Sequence, residues 1–133
     1  MTSTAFLDTN VLIRHLTGDP PEQARRATAF LAAAEGPLLL ADLIVAEIVD
    51  VLESVYDVDR SMVADLVRAI IAFPSIAVVQ EPLLLRALEA YEHDRLDFAD
   101  AYLVACAEAT GVGRVVSFDR GLDRAGTVER VEP

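Results

Sequence analysis

Four short apolar runs, Thr4–Leu7, Leu38–Ala41, Ile76–Val79 and Arg114–Ser117, constrain this chain more than any other feature, because none shows the polar alternation of a half-exposed strand. A strand without alternation is buried on both faces, the mark of a parallel sheet, and parallel neighbours need a long crossover, usually a helix. The intervening stretches supply those helices. Val11, Leu12, Ile13 and Leu16 predict a short helix stopped at Gly18. Pro20 and Pro21 open a second that runs to Ala34, with Ala24, Ala27, Phe30 and Leu31 on one face and Gly36-Pro37 ending it. Asp42 is placed to cap a third helix, Leu43–Tyr56, and a fourth covers Arg60–Ala72 before Pro74 breaks it. Helices over Pro82–Tyr91 and Phe98–Thr110 follow, and Gly111 and Gly113 lead into the last run. The pattern predicts an α/β fold with a parallel sheet.

A chain of 133 residues suits one core, and no repeat, low-complexity segment or linker divides it, so one domain over residues 1–133 is expected. The opening residues lack a basic stretch followed by an apolar run, and no apolar segment is long enough to span a bilayer. A soluble cytoplasmic protein without membrane association is therefore expected. Cys106 stands alone, and His15 and His93 have no partners at zinc-ligand spacing. The apolar share of 53% points to a buried partner interface.

The net charge of −11 argues against a wide basic surface that holds nucleic acid by phosphate contacts alone. Any activity on such a polymer must recruit a cation. All 11 basic residues are arginine, and the lack of lysine removes a P-loop reading, which needs its Gly-Lys pair on phosphate.

Acids stand where chemistry in such a fold is expected. Asp8 ends the first strand and Asp119 follows the last, at the carboxyl edge where open α/β sheets place ligands. Asp8 is equally suited to cap the following helix, and Asp119, like Asp123, to an ordinary turn. Glu47 interrupts the apolar stretch from Leu43 to Val49, although with Asp50, Ser54 and Asp57 it also forms a stripe that would face water. Asp97 is placed to cap the helix from Phe98. Asp100, in the first turn of that mostly apolar helix, wants a partner. Several carboxylates on one edge repel one another and take up protons unless a cation joins them. Oxygen donors without a Cys or His pair favour Mg2+, with Mn2+ a substitute, and the chemistry implied is metal-assisted hydrolysis of a phosphodiester.

Together, Phe6-Leu7-Asp8-Thr9-Asn10-Val11-Leu12, Glu47, Asp97-Phe98-Ala99-Asp100-Ala101 and Val116-Ser117-Phe118-Asp119 make nearly the whole chain resemble the PIN-domain nucleases, most closely the VapC toxins of toxin-antitoxin pairs. The resemblance implies a three-layer α/β/α sandwich around a central parallel sheet of four or five short strands. It implies a metal site formed by Asp8, Glu47, Asp100 and Asp119, with Ser117 supporting Asp8, Thr9 or Asn10 shaping the turn, and Asp97 as an outer acid. It further implies an endoribonuclease acting on structured RNA such as transfer or ribosomal RNA. The partner implied is a cognate antitoxin, whose arginine or lysine would approach the acidic pocket. A homodimer built on middle helices is also implied, which Leu52, Val55, Met62, Val63, Leu66 and Val67 suit, as they would a buried helix pair.

Two rivals place an aspartate after the first strand. A phosphoacceptor receiver relies on a lysine, absent here, and a related phosphatase motif has a second aspartate where this chain has Asn10. A third alternative is a catalytically inactive acidic module that sequesters a basic partner, in which distributed acids matter equally.

Overall fold

Backbone hydrogen bonds of the apolar runs go to parallel neighbours. The computed structural model describes residues 4–133 and divides into two bodies, Met1–Val79 and Gln80–Pro133. The first three residues of the expected domain lie outside that description.

In the first body β1 (Ala5–Phe6), β2 (Leu38–Leu39) and β3 (Ile76–Ala77) lie in the order β1-β2-β3, all parallel, with Ala5 opposite Leu38 and Leu38 opposite Ile76. Flanking rungs lengthen the ladder: the Leu7 N–H donates to the Leu39 carbonyl at 2.9 Å and the Leu40 N–H to the Ala77 carbonyl at 2.9 Å. The strands are shorter than expected, and Val79, assigned from sequence to the third, is exposed.

Helices α1 (Thr9–Thr17) and α2 (Pro21–Ala33) link β1 to β2, while α3 (Asp42–Ser54) and α4 (Arg60–Ile71) link β2 to β3. α1 stops at Gly18, whose φ of 72° is open to glycine at little cost. Asp42 lies inside α3 rather than capping it; Ala41 holds the cap position, and Asp42 favours the helix as an acid in its first turn. The α3–α4 pair buries Leu52, Val63 and Val67 in this body's own core, whereas Val55 and Met62 are exposed. Leu66, the remaining member of the apolar set that suits a dimer, is half-buried.

The second body contains α5 (Glu81–His93), α6 (Phe98–Thr110), β4 (Arg114–Val116), a 3-10 helix (Arg120–Ala125) and β5 (Glu129–Val131). β4 and β5 pair in parallel, Arg114 opposite Glu129, so among the described residues the strands form a three-stranded and a two-stranded parallel set. α5 packs along α6 through Leu84, Leu88, Tyr91, Ala101 and Val104, all buried, with the Tyr91 and Phe98 rings edge to face at 6.2 Å. Among the described residues, no helix is long and apolar enough to cross a membrane.

α5 and α6 are also clamped by a two-pronged ion pair. Arg86 donates through Nε to Glu108 Oε1 at 2.7 Å and through NH2 to Oε2 at 2.9 Å, and the Thr127 hydroxyl donates to the same carboxylate. Hydrogen bonding from Arg86 is the main cause holding the Glu108 carboxyl below its ordinary pKa, against the opposing pull of burial. A depressed folded-state pKa gives stability that is present above the unfolded value and lost as pH falls through the folded one. Glu108→Gln should therefore lower stability at pH 7 by about 1 kcal/mol after solvent screening. Thermal melts from pH 7 downward should show the gap to wild type closing below the usual glutamate range.

Candidate active site

Asp8 follows the last rung of β1 and enters α1 in an extended conformation, φ −92° and ψ 157°. It occupies the N-cap position, yet its side chain makes no capping hydrogen bond and is exposed. Capping therefore does not account for this acid. Its neighbour Thr9 opens α1 and donates from Oγ1 to Glu47 Oε2 at 2.5 Å. That contact ties α3 to the turn after β1 and distinguishes Glu47 from Asp50 and Ser54, which share its exposed stripe, while Asp57 stands beyond the end of α3 with a φ of 54°. Asn10 is also exposed, and its carbonyl accepts from Arg14 NH1 at 3.3 Å.

In the second body, Asp97 precedes α6 at the N-cap position, again without a capping side-chain bond, which corrects the capping role expected from its spacing. The side chain is exposed at the turn, and its charge acts on Asp100. Asp100 lies one turn into α6 and is half-buried. Its carboxyl is held above the ordinary aspartate pKa, first by burial, then by the Asp119 charge and hydrogen bonding with Asp119, and last by the Asp97 charge. The charges that raise it among the described residues, Asp119 and Asp97, are both negative.

Asp119 is fixed by a tight turn. Its N–H donates to Ser117 Oγ at 2.9 Å, and its Oδ1 accepts from the Gly121 N–H at 2.8 Å, starting the 3-10 helix. Ser117 thus has a described role at Asp119. Asp123 serves structure, accepting at Oδ1 from Arg130 Nε at 3.0 Å. Within each body, among the described residues, no three His, Cys, Asp or Glu side chains stand together as a metal-holding group. The Asp8 turn with Glu47 and the Asp100–Asp119 pair offer hard oxygen donors, which suit Mg2+ or Mn2+. Sequence spacing missed the Thr9–Glu47 bond because it joins residues 38 apart.

The family profile described as PIN domain matches residues 5–128. The chain belongs to the PIN domain family. No curated protein matches this PIN domain by sequence. Among solved structures it is similar to Mycobacterium tuberculosis VapC20, a sarcin-ricin loop cleaving toxin, with 22% identity and a TM-score of 0.44 over 98% of this chain and 100% of that one.

The crowding at Asp100 has a consequence for stability. A raised folded-state pKa means that the folded form binds the proton more tightly, so stability falls as pH rises from the ordinary aspartate range through the raised value. Asp100→Asn removes the charge while keeping the shape. It should raise the melting temperature at pH 7 in chelator, with the gain shrinking as the pH is lowered until wild-type Asp100 is protonated. Differential scanning calorimetry across pH checks this, and an Asn variant that melts lower throughout would contradict it.

Proposed function

We propose that this PIN domain, a single domain over residues 1–133, is a divalent-metal-dependent endoribonuclease and the toxin of a toxin-antitoxin pair in the cytoplasm. The observation that carries the reading is the Asp100 carboxyl, half-buried against Asp119 and raised by the negative charges of Asp119 and Asp97. Such an arrangement is unfavourable for a folded chain by itself and becomes favourable when a cation is held there. Asp8, Glu47, Asp100 and Asp119 would be the ligands. A bound Mg2+ or Mn2+ supplies Lewis acidity, polarising water and offsetting charge on a phosphodiester. Thr9 orients Glu47 through its hydroxyl and Ser117 anchors the turn that carries Asp119. In this reading Ser117 also supports Asp8, Asn10 shapes the first turn, and Asp97 adds negative charge at the rim.

The substrate class is structured RNA, transfer or ribosomal, and the regulator is an antitoxin that brings an arginine or lysine to these acids and competes with metal. Purified protein should cleave RNA with Mg2+ or Mn2+ and stop in chelator. Asp8→Ala and Asp100→Ala should each cost at least about a hundredfold in rate while circular dichroism stays native. Asp50→Ala, on the stripe shared with Glu47, should leave cleavage unchanged. Equal, graded losses at all three positions, without metal dependence, would favour the acidic sequestering module.

The reading includes a homodimer centred on the exposed Val55 and Met62, near the turn between α3 and α4. Val55→Asp combined with Met62→Asp should shift the mass measured by light scattering from dimer to monomer without unfolding. A wild-type protein that is monomeric at high concentration would remove the dimer.

A further inference from the structure

A groove of about 820 Å3 in the first body begins at Asp8 and runs between β1, α1 and α2. Its walls include Phe6, 72% exposed, and Phe30, 55% exposed, with Arg14 from α1 and Gln23 and Arg26 from α2. Gln23, Arg26 and Phe30 recur at helical spacing and so share one face of α2.

Several arginines of this chain are held by carboxylates. Arg25 pairs with Glu22 at 2.5 Å, Arg68 with Asp65 at 3.3 Å, Arg86 with Glu108 at 2.7 Å and Arg130 with Asp123 at 3.0 Å. Among the described residues, the two arginines of the groove have no carboxylate partner. Arg14 donates through Nε to Gln23 Oε1 and through NH1 to the Asn10 carbonyl, both neutral oxygens. Arg26 has no hydrogen bond or ion pair among the described residues. In a protein of net charge −11, two guanidinium groups that line the same groove as Asp8 thus stand outside any ion pair among the described residues. An arginine in that state is suited to phosphate oxygens, and an exposed aromatic ring nearby is suited to the flat face of a base.

We propose that this groove binds single-stranded RNA, with phosphates on Arg14 and Arg26 and a base stacked on Phe30, and delivers the strand to Asp8. The proposal rests on the nuclease reading for the polymer and adds the residues that seat it. Charge favours RNA over a docked protein segment, because the expected inhibitory segment is basic and would meet two arginines.

The test is fluorescence anisotropy with a labelled single-stranded oligoribonucleotide of mixed sequence, about 12 nucleotides long, in chelator so that no cleavage intervenes. Arg26→Ala and Phe30→Ala should each weaken binding about tenfold, Phe30→Tyr should retain it, and Arg25→Ala should match wild type. Arg26→Ala should also reduce the salt dependence of log affinity by about 0.7. No binding by wild type, or unchanged affinity in both alanine variants, overturns the proposal and leaves the groove to a protein segment. So does equal binding of a duplex with the same sensitivity at Phe30. Metal-dependent cleavage by wild type alongside unchanged binding in the variants sinks the groove and spares the nuclease. Groove-dependent binding without cleavage does the reverse.

Discussion

Parallel strands of two or three residues cannot stand by themselves. Their amides and carbonyls must be paired within a few residues, and the chain must then leave the sheet through a helix to return in the same direction. In the first body this forces a turn directly after β1, with Leu7 making the last rung and Asp8 already outside the ladder. In the second body the Ser117 N–H makes the last rung, to the Val131 carbonyl, and the Ser117 hydroxyl and Asp119 then build the next turn. The acids stand where they do because the strand has ended and the next helix has not yet taken over the backbone.

Local bonds then determine how each acid is presented. Thr9 and Ser117 are both one or two residues from a strand-end aspartate, yet they act differently. Thr9 reaches across to Glu47 on another helix, whereas Ser117 accepts from the backbone of Asp119 itself. Asp97 and Asp8 occupy cap positions without using their side chains as caps, which leaves both carboxylates exposed to solvent. Helix starts normally gain from such a bond; here that gain is forgone at two acids near the candidate chemistry.

The parallel α/β class was legible because apolar runs and helix-length spacers are local signals, and the positions of Asp8 and Asp119 followed from the ends of those runs. β5 was hidden because Glu129-Arg130-Val131 carries two charges. Arg130 is nevertheless nearly buried, since Asp123 pairs with it and the Ser117 carbonyl accepts from its NH1. The ordinary turn expected at Asp119 and Asp123 is a 3-10 helix over Arg120–Ala125, started by a side-chain bond that composition does not display. Glu47 looked like part of a water-facing stripe and is exposed as that reading requires; only a contact from a distant residue separates it from its neighbours.

Gly121 shows how a residue with no reactive group can govern one that has one. Its backbone is outside the left-handed region, so torsion alone would admit any side chain. Space does not: a Cβ there would lie 3.0 Å from Asp119 Oδ1 and 3.2 Å from Arg124 NH2. Arg124 is itself held by the carbonyls of Asp94 and Arg95, and so has little freedom to retreat. A larger residue at this position would therefore press on the acid. The tolerance of position 121 to sequence drift is thus set by the orientation of a carboxylate two residues away, and a search that scores only charged or polar positions would overlook it.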